Sequence, residues 1–331
     1  MMIGDGSVID GLSILTTENP EKFKSMGSQT DPVPFYTIFT GMMLVQLFYW
    51  GTNQQIIQRA LGAKNLKEGQ KGLLLASFIK ILGPIIVVLP GLIAFHLFEG
   101  NLESSDSAYP MLVNKVLPPA WVGFFAAVIF GAILSSFNSV LNSSVTLFGV
   151  DVYKQHINKE ADEKTIVKHG KRFGILLAIA AMFIAPMIAN AGSLFKYLQE
   201  VNGIYSIPIL TIIIVGYLTK RVPAIAAKIG LVSGCLLYII SQFFMQPYFI
   251  NNALENAKAS GIIDEASLAI VTAEAYPHFL DIMAILFLLN VGIMLLIGKL
   301  KPRKEAYIQE YTEQVDITPW KYVKQTGIAI C

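Results

Sequence analysis

Apolar residues along this 331-residue chain come in blocks separated by polar connections. Seven charge-poor segments stand out: 36–58, 73–98, 120–150, 173–190, 197–219, 229–250 and 282–298. Lys80 and Glu200 are the only charged residues inside them. A hydrocarbon core about 30 Å thick needs about 20 helical residues at roughly 1.5 Å each. In lipid, a segment of this length satisfies its own backbone groups only as a helix. The pattern therefore predicts seven transmembrane helices and an all-α integral membrane protein. The plainer alternative, buried helices of a large soluble core, sits poorly with so many such segments in one chain.

Lys and Arg alternate between the connections. Those at 59–72, 151–172, 220–228 and 299–331 hold 19 of the 25, whereas 1–35, 99–119, 191–196 and 251–281 hold five. The positive-inside bias puts the first set in the cytoplasm and the N-terminal segment outside. The predicted location is the cell (plasma or inner) membrane. Composition agrees, with 54% hydrophobic and 15% charged residues, against about 25% charged in a soluble chain. These values exclude a disordered chain, a nucleic-acid binder and an ordinary cytosolic enzyme. Cys235 and Cys331 give neither a disulfide framework nor metal-ligand spacing, and His96, His156, His169 and His278 show no ligand spacing either. Residues 1–34 lack the pattern of a signal peptide, yet carry five carboxylates with no span before them. Thr326–Cys331 reads as the opening of a further apolar helix. The expectation is a piece of a longer protein, truncated on both sides.

Polar residues inside the spans are candidate functional groups, because hydrocarbon makes them costly unless paired. In the first span, Gln46 precedes Tyr49 and Trp50. Gly51, Thr52, Asn53, Gln54, Gln55 and Gln58 then interrupt an apolar helix. A broken helix at a transporter binding site reads this way, and the two aromatic rings offer the flat faces on which a sugar stacks. The alternative is an interfacial aromatic pair, which the near-central depth of Tyr49 argues against. In the third span Ser135, Ser136, Ser139, Asn142, Ser143 and Thr146 recur at three and four and share a face. Two adjacent hydroxyls and the Ala132 carbonyl one turn back would offer three hard oxygens to an alkali cation. Close packing through small residues, or serines bonding back to their own helix, explains the same stripe equally well. Lys80 lies seven residues, about 10 Å, from the cytoplasmic end of its span. Snorkelling and a role as cationic donor to a polar solute stand level. Pro84 and Pro90 loosen that helix. Gln199 and Glu200 open the fifth span, ahead of Gly203 and Pro208.

A collinear series of short motifs resembles the sodium/glucose cotransporter family (sodium:solute symporters), and within it the sugar branch. The series is Phe48-Tyr-Trp-Gly-Thr-Asn-Gln-Gln-Ile-Ile-Gln-Arg59, Ala76-Ser-Phe-Ile-Lys80, Val88-Leu-Pro-Gly-Leu92 and Ala108-Tyr-Pro110. It continues with Leu134-Ser-Ser-Phe-Asn-Ser139, Leu141-Asn-Ser143, Asp151-Val-Tyr-Lys154 and Tyr197-Leu-Gln-Glu200. The resemblance runs over roughly residues 35–235. It implies a LeuT-like fold of two inverted five-helix repeats, with solute and sodium between them. Residues 36–219 would be the second repeat, 220–298 two accessory helices, and 1–35 an outer loop. Residues 299–331 would be a cytoplasmic segment and the start of a further helix.

The resemblance also implies residue roles. The Ala132 carbonyl, Ser135 and Ser136 would bind sodium, with the remaining ligands on the missing first repeat. Lys80 and Gln199 match positions that hydrogen-bond the sugar, and Tyr49 matches the aromatic that caps it from inside. Gln46 stands where the bacterial galactose carrier of that branch has Asn, so the amide is one methylene longer. The implied function is sodium-coupled sugar uptake by alternating access, with sodium as coupling ion, no cofactor and no covalent chemistry. The same fold could carry inositol, an amino acid or another polar solute. A retinal-type seven-helix receptor or pump is a remote alternative, with Lys80 in the second span. A glycosyl-processing enzyme would need paired carboxylates, which one Glu among the spans does not supply.

Overall fold

The computed structural model describes residues 7–24, 26–28, 31, 33–102, 105–188, 194–308 and 315–330. Among them the chain is helical throughout, with no strand. In order come α1 (Val8–Glu18), α2 (Gly41–Gly51), α3 (Gln54–Leu61), α4 (Leu66–Ile81), α5 (Leu89–Leu97) and α6 (Ala108–Val116). Next are α7 (Pro119–Leu147), α8 (Glu163–Ile188), α9 (Leu194–Leu218), α10 (Ala224–Ile239) and α11 (Gln246–Ala259). The last three are α12 (Glu265–Ala275), α13 (Phe279–Leu300) and α14 (Val323–Ile330).

Six helical stretches are long and apolar enough to cross a membrane: Leu66–Leu97, Pro119–Ile157, Glu163–Ile188, Tyr197–Leu218, Ala224–Ala259 and Glu265–Leu300. They contain, to within two residues at the C-terminal ends, six of the seven expected spans, and the chain is a multi-pass membrane protein. The first expected span, 36–58, is not one continuous helix. A 3-10 turn at Phe35–Phe39 leads into α2, and the helix breaks at Thr52 and Asn53 before α3 resumes. The Thr52 hydroxyl donates to the Phe48 carbonyl (2.9 Å), and the Asn53 amide closes a wider turn on the same oxygen (3.1 Å). Elsewhere helices overrun the apolar segments. Charge-poor stretches mark the lipid layer, whereas helices continue through wet, charged turns such as Glu163–Arg172. Pro84 loosens its helix as expected, since Leu82 is a turn and Pro84–Val88 is a π-helical turn between α4 and α5.

The chain divides into two compact units. The first comprises Met1–Phe23, Gln54–Leu194 and Val315–Cys331. Within it α7 packs closely on α8, where Gly170 and Gly174 let Val145 approach. A Cβ at either glycine would stand 2.9 or 2.8 Å from a Val145 methyl. Phe148 stacks on Phe173 and Tyr153 on His169, both with centroids 4.2 Å apart. Small-xxx-small packing of this kind is how helices associate where no hydrophobic drive between them exists.

The second unit comprises Lys24–Asn53 and Phe195–Gln314. Its core joins Leu44, Val45 and Phe48 of α2, Ile207 and Leu210 of α9, Tyr238 of α10 and Leu280 and Met283 of α13. Gly230 and Gly234 of α10 meet Met294 and Asn290 of α13. The Asn290 amide donates to the Gly230 carbonyl (2.9 Å).

Candidate functional site

In the first unit, α3 lies along the polar face of α7. Between them is a groove of about 660 Å³ lined by Gln55, Gln58, Arg59, Gly131, Leu134, Ser135, Asn138, Ser139, Asn142 and Ser143. Its lining explains the stripe that spacing marked. Ser143 Oγ donates to Gln58 Oε1 (3.2 Å), and the Arg59 guanidinium donates to Ser139 Oγ. Ser139, Ser143 and Thr146 also bond back to the carbonyls of Ser135, Ser139 and Asn142, at 3.0, 2.9 and 2.8 Å. The back-bonding reading of the stripe therefore holds for Ser139, Ser143 and Thr146. Toward the C-terminal end of α7 the hydroxyls are engaged with their own helix and with α3. One turn earlier, Ala132, Ser135 and Ser136 are exposed, and Ser135 opens into the groove.

Lys80 also lies in this unit. It occupies the penultimate position of α4, just ahead of the Leu82 turn, and is exposed.

In the second unit, α2 carries Gln46, Tyr49 and Trp50. The Trp50 indole N–H donates to Gln46 Oε1 (3.0 Å), and the Tyr49 and Trp50 rings meet edge to face at 5.4 Å. The Gln46 amide points its N–H group at Met42 Sδ (3.6 Å). Gln46 and Trp50 are exposed and Tyr49 half-buried. They lie about one helical turn ahead of the break, where the Thr52 amide still closes a regular turn on the Phe48 carbonyl and the Asn53 amide closes a wider one on the same oxygen. Helix α9 carries Gln199, half-buried, and packs on α2 through an edge-to-face contact of Tyr205 with Phe48 (5.9 Å). Four solute candidates thus belong to the second unit. Lys80 and the three sodium candidates belong to the first.

Sequence reasoning missed Arg59 and Asn138 in the groove. Arg59 was counted as a cytoplasmic charge, and Asn138 falls one position off the marked stripe. It also missed a buried polar set on α9, α10 and the π-helical turn Ile240–Met245 that follows α10. Asn202 Oδ1, Ser206 Oγ, Tyr238 OH and both Gln242 side-chain polar atoms are buried with no hydrogen-bond partner among the described residues. The signal was Gly203, where an added Cβ would lie 2.4 Å from the Tyr238 hydroxyl. Among the described residues no three or more His, Cys, Asp or Glu side chains come together as they would to hold a metal ion.

Comparison with known proteins decides what kind of machine carries these features. Residues 8–234 match the sodium:solute symporter family. The chain belongs to that family. Among similar proteins, the symporter YidK of Escherichia coli, itself described as uncharacterized, is 43% identical over 329 residues, 99% of this chain and 52% of that protein. The sodium/glucose cotransporter of Vibrio parahaemolyticus is 34% identical over 254 residues, 70% of this chain and 47% of that protein. The human sodium/myo-inositol cotransporter 2 is 33% identical over 229 residues, 64% of this chain and 34% of that protein. This symporter chain therefore spans about half the length, or less, of the curated relatives it matches. Family membership bears out the resemblance read from the motifs and makes the chain part of a transporter family, not an enzyme family. It also sets aside the retinal-type alternative.

Proposed function

We propose that this symporter chain supplies the second inverted repeat and accessory helices of a carrier that couples sodium entry to uptake of a sugar. The Ala132 carbonyl, Ser135 and Ser136 would hold sodium together with residues outside this chain. Gln46, Tyr49, Trp50, Lys80 and Gln199 would face the solute. The observation that carries this reading is the polar groove between α3 and α7 of the first unit, which reaches Ser135. Discontinuous helices and hard oxygens are what a midplane site needs. In this reading sodium runs down its gradient and the membrane potential, worth about 2.3 kcal/mol per charge per 100 mV. Sodium and sugar favour the same outward-open state, so each tightens the other by the same factor.

A second reading keeps the carrier and changes the solute to a cyclic polyol. It is favoured by the similarity to a protein named for sodium and myo-inositol. Uptake of labelled glucose, galactose and myo-inositol into proteoliposomes holding the full-length protein distinguishes the two. Sodium-dependent uptake of a hexose supports the first reading. Uptake of myo-inositol without any hexose replaces it, and uptake indifferent to sodium overturns both.

A further inference from the structure

The cytoplasmic end of α8 carries a basic face that the transport reading does not use. Lys164, Lys168, Lys171 and Arg172 are all exposed. None lies within 4.0 Å of a carboxylate among the described residues, where the ion pairs are Lys71–Glu68 and His96–Glu18. At 3.6 residues per turn these four positions share one side of the helix. That side continues without a break into Ile175, Ile179 and Met182, which are 62%, 50% and 76% exposed. The opposite side is the packed one. There His169 stacks on Tyr153, Phe173 stacks on Phe148, and Gly170 and Gly174 receive Val145. Helix α8 is thus anchored by one side, while the other passes within about one turn from the exposed apolar Ile175 to Arg172 and Lys171, and continues through Lys168 to Lys164.

Position along the helix agrees. The basic groups occupy Lys164 to Arg172, about 12 Å of helix, directly beyond the apolar stretch. A headgroup layer adds roughly 5–8 Å to each side of a bilayer, so Arg172, Lys171 and Lys168 fall within that depth and the long stem of Lys164 reaches back toward it. Lys164, Lys168 and Lys171 line a shallow depression of about 530 Å³ together with Val167 and Glu163. The Lys and Arg bias places it on the cytoplasmic side, where membranes carry anionic lipid.

We propose that this face of α8 binds the headgroups of anionic phospholipids in the cytoplasmic leaflet. The charge is complementary, the apolar half of the same face seats the acyl chains, and the Lys stems span the boundary. The test uses the full chain in nanodiscs of mixed phosphatidylcholine and phosphatidylglycerol, with photoactivatable analogues of each lipid and peptide mapping of the labelled sites. The phosphatidylglycerol analogue is expected to label the peptide around 164–176 preferentially. Each Lys→Gln change at 164, 168 and 171 should reduce that preference about fivefold, and the triple Lys→Arg variant should keep it. Equal labelling by both analogues, or undiminished preference in the triple Gln variant, overturns the proposal. Full competition by soluble glycerol phosphate also overturns it, since the ligand would then be a free phosphate. If the Gln variant does not fold, a salt titration of the unmodified chain decides. Preference must fall as the Debye length shortens, and salt-independent labelling overturns the proposal.

Discussion

Gly41 is where the second unit tolerates least. A Cβ there would stand 1.9 Å from the carbonyl oxygen of Leu280. That oxygen belongs to the backbone of α13 and cannot rotate aside as a side chain could. Gly41→Ala is therefore expected to cost about 3 kcal/mol, the upper end for overpacking, read as a lowered Tm in detergent. Gly51→Ala meets open space and serves as the neutral control. Asp162 tells a different story at the wet end of α8. The Thr165 hydroxyl and amide (3.2 Å to the amide nitrogen) hold its carboxyl below the usual carboxylate range. Because the folded value is depressed, this cap stabilises the helix start fully above about pH 4 and loses its effect as pH falls through the lowered value. The protection of the amides over Glu163–Lys168, measured relative to the intrinsic exchange rate at each pH, should fall on acidification, and Asp162→Ala should show the lowered protection already at neutral pH. The Trp50–Gln46 bond belongs to this scale as well. Both residues were legible as candidates, but their pairing was not, because it depends on the rotamers that α2 selects.

Among the elements, the interrupted first span was legible before any coordinates. Gly51 followed by a run of amides and a threonine cannot be lipid-facing helix, and the chain breaks at Thr52 and Asn53 within that run. Restoring helix formers there is a direct probe. Thr52→Ala with Asn53→Ala should close the ladder and slow amide exchange over residues 52–55 about fivefold, in line with about 1 kcal/mol per recovered hydrogen bond. Unchanged exchange would show that packing around the break, not its sequence, holds it open. The helix ends were less legible. Charge counting follows where lipid stops, whereas α8 and the stretch ending at Ala259 run on into water because nothing in their sequence terminates a helix there. Arg59 in the groove was illegible for a related reason. Whether a basic residue snorkels to water or bonds to Ser139 depends on which face of α7 lies opposite α3. Periodicity does not state that.

Taken whole, the two units differ in how much they bury. The spans of the first unit have 0–6% of their apolar windows inside the chain, whereas those of the second have 28–39%. Apolar helices exposed all round need lipid or further protein about them. Their curated relatives are about twice as long or more, so the proposed activity is a property to seek in the full-length protein. Class and family followed from segment length, charge alternation and collinear motifs, all local properties of the chain. The buried polar atoms of Asn202, Ser206, Tyr238 and Gln242 did not, because burial is decided only when α9 and α10 pack. The central claim is that this chain brings separate sodium and sugar contacts to one carrier. It is tested most directly by uptake in proteoliposomes, titrated in turn with sodium and with sugar, for Ser136→Ala and Lys80→Ala in the full-length protein. Ser136→Ala is predicted to raise the sodium requirement about tenfold, the equivalent of roughly 1.4 kcal/mol, with sugar dependence little changed. Lys80→Ala is predicted to do the reverse, and equal loss of both dependences in either variant would contradict the account.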